Sequence, residues 1–222
     1  MYKTNSGQLL RVVVFFSGGA SSLKYLLARD PNLGKKYQIV GAFTNKENTV
    51  GAKITYQWGI PIICLGYRQW CRKENRNHKD EGARKDYFAE VCRLIKNFET
   101  DIILLSGFMM IITDPLLSEY RSRILNVHPA NTTIKGENGK TKYAGDNAVE
   151  DAIKAGEKST CSTVHVITEE VDNGPVVALS ESWPVIPGID PAAHQGEMKW
   201  VCDGPAYVAA LERISSGEFP LD

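Results

Sequence analysis

The sequence predicts an α/β protein in which a mostly parallel, twisted sheet carries helices on both faces. Up to His128, apolar runs typical of buried strands alternate with stretches of helical periodicity. Such alternation favours a parallel sheet, because two parallel strands need a long crossover that is usually a helix. After Pro129 the chain becomes polar and then rich in β-forming residues, so a differently built second half is expected.

The first half predicts five strands and three helices in alternation. The first strand reads Val-Val-Val-Phe-Phe without a polar break, as expected of a buried strand. The predicted strands cover residues 12–16, 38–44, 60–65, 101–106 and 123–128. The predicted helices cover residues 22–28, 50–58 and 82–98. The last helix has one apolar face, formed by Tyr87, Val91, Leu94 and Ile95.

The second half predicts a loop, two β-rich runs and two helical stretches. Its polar start is rich in Gly, Asn, Thr and Lys and indicates a loop or short hairpin. The expected order is a loop at 129–145, a helix at 148–155, β-rich runs at 160–168 and 174–183, and a helix at 192–215 that breaks near Gly204-Pro205. In the first half, the charge-dense segment 68–85 is expected to be a solvated surface loop.

Length, composition and charge disfavour a nucleic-acid-binding protein, a membrane protein and a metal-binding protein. The 222 residues suffice for one large or two small domains, and 26 basic residues balance 26 acidic ones. Zero net charge disfavours a general nucleic-acid binder, and no apolar run approaches the roughly 20 residues of a membrane span. The five cysteines form no CxxC and lack zinc-site spacing, so reduced thiols in the cytoplasm are expected, with no metal and no apolar signal sequence.

A glycine-rich turn, residues 17–22, joins the first strand to the first helix. Backbone N–H groups at a helix start suit a phosphate, and Gly18 and Gly19 permit its close approach. Ser21 and Ser22 add hydroxyl donors. The pattern is neither GxGxxG nor GxxxxGKS, and a helix start capped by serine fits equally well. The residues alone leave both interpretations open.

Three polar residues near strand ends predict group-transfer chemistry when taken together. Asn126 and His128 lie two residues apart on a strand and therefore project from the same face. Asp172 begins the turn Asp172-Asn173-Gly174. An amide, an imidazole and a carboxylate can bind a carbonyl, stabilise an oxyanion and carry a proton. Each residue alone is more commonly structural, and a buried structural role is favoured for His165 within its alternating strand.

The motifs of the chain, in order, resemble those of the folate-dependent formyltransferases, and within them the glycinamide ribonucleotide transformylases. The resemblance covers nearly the whole chain. Its most specific parts are Asn-x-His-Pro at 126–129 and Val-Asp-x-Gly-Pro at 171–175. The other matching segments are Ser17-Gly18-Gly19, Thr44-Asn45-Lys46, Gly59-Ile60-Pro61, Ser106-Gly107-Phe108-Met109 and Ser162-Thr163-Val164-His165.

The resemblance implies one Rossmann-like domain over residues 1–222, with a phosphate-binding half at 1–105 and a folate-binding, catalytic half at 106–222. It implies a cytoplasmic enzyme that moves a formyl group from 10-formyltetrahydrofolate to an amine. That amine would be 5-phosphoribosylglycinamide, in purine biosynthesis. The resemblance further implies small-molecule substrates, a reaction without metal, nucleic acid or membrane, and a monomer or homodimer.

The resemblance also assigns roles to residues of this chain. The catalytic set is Asn126, His128 and Asp172, with Asp172 keeping His128 oriented and charged. The residues expected to bind the acceptor are Gly19, Ala20, Ser21, Ser22, Arg84, Gly107 and Asp203. The residues expected to line the folate pocket are Met109, Met110, Ile111, Ile112, Ile167, Thr168 and Glu169.

Three departures from the family pattern border the substrate pockets. Ala20 and Ser22 replace a Gly and an Asn of the phosphate loop, and Ala20 needs a negative φ or strain. Met110 replaces an Arg near the folate, and 130–143 lacks the usual Ser-Leu-Leu-Pro run. These changes leave other functions open: formylation of an amino sugar or amino-acid derivative, hydrolysis of formyl-folate, or a non-catalytic binding protein.

Overall fold

The computed structural model describes residues 9–221, which are organised around a seven-stranded sheet. Its order is β3-β2-β1-β4-β5-β7-β8, in which the first five strands are parallel and the last two antiparallel. The strands of this sheet are β1 (Leu10–Phe16), β2 (Tyr37–Thr44), β3 (Ile62–Cys64), β4 (Ile102–Leu105), β5 (Ile124–His128), β7 (Thr163–Val166) and β8 (Val176–Leu179). A second, two-stranded sheet pairs β6 (Ser159–Thr160) with β9 (Trp183–Pro184). The mostly parallel α/β architecture predicted from the sequence is therefore confirmed.

Helices cover both faces of the main sheet. They are α1 (Ser21–Arg29), α2 (Val50–Gln57), α3 (Tyr67–Lys73), α4 (Glu81–Ile95), α5 (Leu116–Glu119), α6 (Ala148–Lys154), α7 (Pro191–Val201) and α8 (Asp203–Ser215), with a 3₁₀ turn at Lys96–Phe98. Every helix within residues 9–221 is too short or too polar to span a membrane.

The central strand β1 shows how the sequence creates two cores. Val12, Val14 and Phe16 pack in the core under α1 and α8. Val13 and Phe15 pack in the opposite core, under α4. Successive side chains of a strand point to opposite faces, so an unbroken apolar run is needed when both faces are covered.

The structure corrects three local expectations. Segment 68–85 is largely helical, because α3 buries Cys71 and packs its aromatic residues on Tyr87. The break between α7 and α8 falls at Cys202, and Pro205 lies in the first turn of α8, where a helix does not need its N–H. The β-rich run at 160–168 divides, since β6 leaves the main sheet to pair with β9.

The sheet topology reverses the strand order between β1 and β4. The chain proceeds from β1 towards β2 and β3 on one side, and from β4 towards β5 on the other. Open α/β sheets bind ligands at such a reversal of strand order, outside the carboxyl ends of the strands. The loops after β1, β4 and β5 thus meet at one edge.

Candidate active site

Polar side chains converge on one face of the sheet at the end of β5. Leu125 and Val127 pack in the α1–α8 core, so the alternating Asn126 and His128 project from the other face. Antiparallel strand β7 places His165 directly opposite Asn126. The shared face of Asn126 and His128 predicted from their spacing is present, and the sheet register adds a second histidine.

Asp172 reaches both histidines from the turn that follows β7. Its Oδ2 lies 3.3 Å from Nδ1 of His128, and its Oδ1 lies 3.5 Å from Nε2 of His165. The backbone N–H of Gly145 donates to the same Oδ2 at 2.8 Å. Asp172 has φ +52°, a left-handed conformation that Asp tolerates better than most residues. The three residues of the predicted catalytic set therefore lie in one cluster, in which His128 and Asp172 are buried and Asn126 is half-buried.

The contacts of His128 assign different tasks to its two ring nitrogens. Nε2 lies 2.6 Å from the carbonyl oxygen of Tyr143. A carbonyl oxygen only accepts, so Nε2 carries a hydrogen in this arrangement. Nδ1, which faces Asp172, is then the nitrogen that gains and loses a proton.

Burial governs the charge of His128. Burial lowers the pKa of His128 below its usual range, although Asp172 and the Tyr143 carbonyl act in the opposite direction. Asp172 thus favours the charged ring, as expected, but burial has the larger and opposite effect on the pKa of His128 in the unliganded site. Burial also acts to raise the pKa of Asp172, but its contacts with His165 and His128 outweigh it and hold that pKa below its usual range.

His165 orients the amide of Asn126. Its Nδ1 lies 3.0 Å from the carbonyl oxygen of Val166, so this nitrogen donates and Nε2 accepts in the neutral ring. Nε2 lies 3.4 Å from Nδ2 of Asn126. The structural role expected for His165 is therefore incomplete, because the ring contacts both Asn126 and Asp172. Sequence reasoning missed this because the register of β7 against β5 is a long-range property.

The loop after β1 forms an uncapped helix start. Ala20 precedes α1 with φ +50°, and no side chain caps the helix. The serine-cap interpretation is therefore wrong, and Ala20 adopts the strained alternative. A Cβ added at Gly18 or Gly19 would meet nothing within 4 Å, which shows open space on that side of the loop.

Hydrogen bonds join this loop to the segment after β4. The N–H of Ser17 donates to the carbonyl of Gly107 at 3.0 Å, and its hydroxyl accepts from the N–H of Met109 at 2.9 Å. The N–H of Leu23 donates to the hydroxyl of Ser106 at 3.3 Å. These bonds hold the loop after β1 and the segment after β4 together.

The residues expected to line the folate pocket differ in exposure. Met109 and Ile111 are more than half exposed, whereas Ile112 belongs to the core under α4. Met110 and Ile167 pack at the margin of that same core. Thr168 and Glu169 are exposed, as is Val171 further along the same loop.

The remaining two predicted acceptor residues lie apart from the catalytic cluster. Arg84 is on α4 and interacts with Tyr67, near the end of β3 and four strands away from β5. Asp203 begins α8 on the opposite face, where its Oδ1 accepts from the Ser162 hydroxyl at 2.6 Å. Burial raises the pKa of Asp203 to about 6. Across residues 9–221, no three His, Cys, Asp or Glu side chains form a group that could hold a metal ion.

Comparison with known proteins identifies the family. The formyl transferase model matches residues 10–195. The trifunctional purine biosynthetic protein adenosine-3 of Drosophila melanogaster is 32% identical over 182 residues, which are 81% of this chain and 12% of that protein.

Two further relatives are nearer to the chain in length. Phosphoribosylglycinamide formyltransferase of Escherichia coli K12 is 27% identical over 179 residues, covering 81% of this chain and 75% of that protein. The phosphoribosylglycinamide formyltransferase structure from Brucella melitensis superposes with a TM-score of 0.74 at 26% identity, over 97% of this chain and all of that one. The chain belongs to the formyl transferase family.

Proposed function

We propose that the protein transfers the formyl group of 10-formyltetrahydrofolate to the amine of 5-phosphoribosylglycinamide, in purine biosynthesis. The observation that carries this proposal is the convergence of Asn126, His128 and Asp172 at the end of β5. Relatives named for formylation of phosphoribosylglycinamide support the choice of acceptor.

Asn126 stabilises charge on the formyl oxygen during attack by the amine. Its Nδ2 has two hydrogens, of which one points to His165, and the other is assigned to the formyl oxygen. Because His165 fixes the amide, the donor needs no reorganisation as charge develops. Removal of one such donor typically costs about 100- to 1000-fold in rate.

His128 and Asp172 move the proton that the transfer requires. The attacking amine loses a proton as its bond to the formyl carbon forms, and the folate N10 gains one as its bond to that carbon breaks. Nδ1 of the neutral His128 accepts the first proton, with Asp172 stabilising the charged ring. The charged ring then donates a hydrogen bond to the formyl oxygen. It afterwards gives its extra proton to N10, so the ring ends neutral.

The two substrates approach this cluster from different sides. The acceptor phosphate lies against the backbone of residues 19–22 at the start of α1, and Gly107 borders it. Arg84 and Asp203 lie apart from this path, so neither is assigned to the acceptor. The folate ring lies along Met109–Ile112 and 167–169, where the apolar side chains of Met109 and Ile111 are otherwise left to solvent.

The same proposal places the enzyme in the cytoplasm with small molecules as its substrates. Its five cysteines are all free thiols, which suits a reducing compartment. The residues 1–105 supply the phosphate loop and the residues 106–222 the folate and catalytic groups. The reaction needs neither nucleic acid nor membrane, and a monomer or homodimer suffices because the proposed catalytic groups all come from one chain.

An acceptor screen tests the proposal. Tetrahydrofolate formation is followed by absorbance with 10-formyltetrahydrofolate held constant and the amine varied among glycinamide ribonucleotide, amino sugars and amino acids. Turnover is expected with glycinamide ribonucleotide, and inorganic phosphate should compete with that acceptor and not with the folate. Turnover without any amine, or with an unphosphorylated amine alone, contradicts the proposal.

A further inference from the structure

A short turn, Tyr143 to Gly145, contacts both members of the His128–Asp172 pair. The Tyr143 carbonyl accepts from Nε2 of His128 at 2.6 Å, and the Gly145 N–H donates to Asp172 at 2.8 Å. Gly145 has φ +77°, which glycine adopts without strain. Both contacts come from the backbone, so they depend on where the turn itself is held.

The side chain of Tyr143 anchors this turn on its far side. The ring is buried and packs with Ala130, Ala148 and Ala152. Its hydroxyl donates to Oε1 of Glu157 at 2.7 Å. Glu157 lies just beyond the end of α6, and its N–H donates to the carbonyl of Ala152. Tyr143 thus joins a helix end through its hydroxyl to His128 through its carbonyl.

We propose that Tyr143 and Glu157 are positioning residues for His128. Their hydrogen bond holds the Tyr143 carbonyl against Nε2, which leaves Nδ1 as the nitrogen that exchanges the proton. The link to turnover rests on the proposed function, whereas the assignment of the two nitrogens rests on the geometry of the unliganded protein.

The charged and polar groups around His128 define what should happen when the turn moves. Asp172 and Asp146 favour the charged ring, as does the Tyr143 carbonyl, whereas His165 and burial oppose it. Withdrawal of the carbonyl removes one of the favourable contacts. The pKa of His128 should then fall further below its usual range.

The test is a set of three variants of the full chain. Tyr143→Phe and Glu157→Ala abolish the anchoring hydrogen bond, whereas Glu157→Gln keeps an oxygen that accepts from the Tyr143 hydroxyl. Long-range ¹H–¹⁵N NMR correlations identify the protonated nitrogen of His128 and its pKa. The parent and Glu157→Gln should show hydrogen on Nε2 alone. Tyr143→Phe and Glu157→Ala should show a mixture of the two His128 tautomers and a lower pKa of His128. Their kcat should be reduced about threefold to tenfold, with KM little changed.

A matched control separates positioning from a general loss of stability. Tyr37→Phe removes another buried hydroxyl-to-carboxylate hydrogen bond, to Asp30 at 2.9 Å, in a part of β2 remote from β5. It should lower the melting temperature and leave the His128 tautomer unchanged. A single Nε2–H tautomer and a parent-like pKa in Tyr143→Phe would overturn the inference, as would equal behaviour of Glu157→Gln and Glu157→Ala. If the parent transfers no formyl group, the proposed function fails while the NMR result still decides the positioning role.

Discussion

The loop after β1 and the cluster at the end of β5 differ in the kind of group that each offers to a ligand. Residues 18–22 offer backbone N–H groups at an uncapped helix start, with open space beside Gly18 and Gly19. The cluster of Asn126, His128 and Asp172 is formed by buried or half-buried side chains from β5 and from the turn after β7, each already in contact with another group. The first site depends mainly on chain conformation, and the second depends on the identity of every side chain.

This difference predicts which residues can be substituted without loss of function. A backbone site keeps its donors when side chains are replaced, so Ala20 and Ser22 can depart from the family pattern without removing the anion site. A cluster of buried polar side chains loses function when any one member is removed, because the remaining groups are left without partners. Substitutions in the two regions should therefore differ by orders of magnitude in effect.

The largest effect is expected from Asn126→Ala and His128→Ala. Each removes a donor to the formyl oxygen and should lower kcat by about 100- to 1000-fold while the melting temperature shows a folded protein. Steady-state kinetics with saturating substrates provide the measurement. Turnover like that of the parent in both variants would rule out the end of β5 as the reaction centre.

Asp172→Asn should have the next largest effect. The amide keeps the shape but removes a charge that favours protonated His128, so kcat should fall about 100-fold. The pKa of His128 is raised by Asp172, and its removal should shift the corresponding limb of the kcat–pH profile to lower pH. A pH profile that overlays that of the parent would show that the two residues do not act as a pair.

Asp203→Asn should change stability in a pH-dependent manner. The folded-state pKa of about 6 lies above the usual value of 3.8, so the folded protein binds the extra proton and loses stability as pH rises between these values. The variant should be more stable than the parent above about pH 6, by at most roughly 3 kcal/mol, and similar below about pH 4. Urea unfolding at both pH values measures this. Equal differences at both would show that ionisation of Asp203 is not the cause.

The smallest effect is expected from Ala20→Gly. Relief of the left-handed strain and loss of one buried methyl group are each worth about 1 kcal/mol and oppose each other. The free energy of unfolding should change by less than about 1 kcal/mol. Ala20→Val is the contrasting variant, because a β-branched residue disfavours this conformation strongly. Similar stability of the two variants would contradict the strain at Ala20.

The sequence predicted the parts of this molecule that depend on local patterns. Alternation of apolar runs and helical stretches was enough for the parallel half, and the spacing of Asn126 and His128 was enough for their common face. The antiparallel register that brings His165 to Asn126 is a long-range pairing with no local signal. The contacts of Tyr143 and Gly145 are made by backbone atoms, which leave no residue-type signature. The burial that opposes the charge of His128 is a property of the whole fold and likewise has no local signal.

The central claim is that this cluster transfers a formyl group to an amine. The most direct measurement follows the label from [formyl-¹⁴C]10-formyltetrahydrofolate in the presence of glycinamide ribonucleotide. The account predicts that the label reaches the amine product in amounts equal to the tetrahydrofolate formed, and that His128→Ala slows formation of this product by about 100- to 1000-fold. Label recovered as free formate at the same rate with and without the amine would contradict the account and indicate a hydrolase.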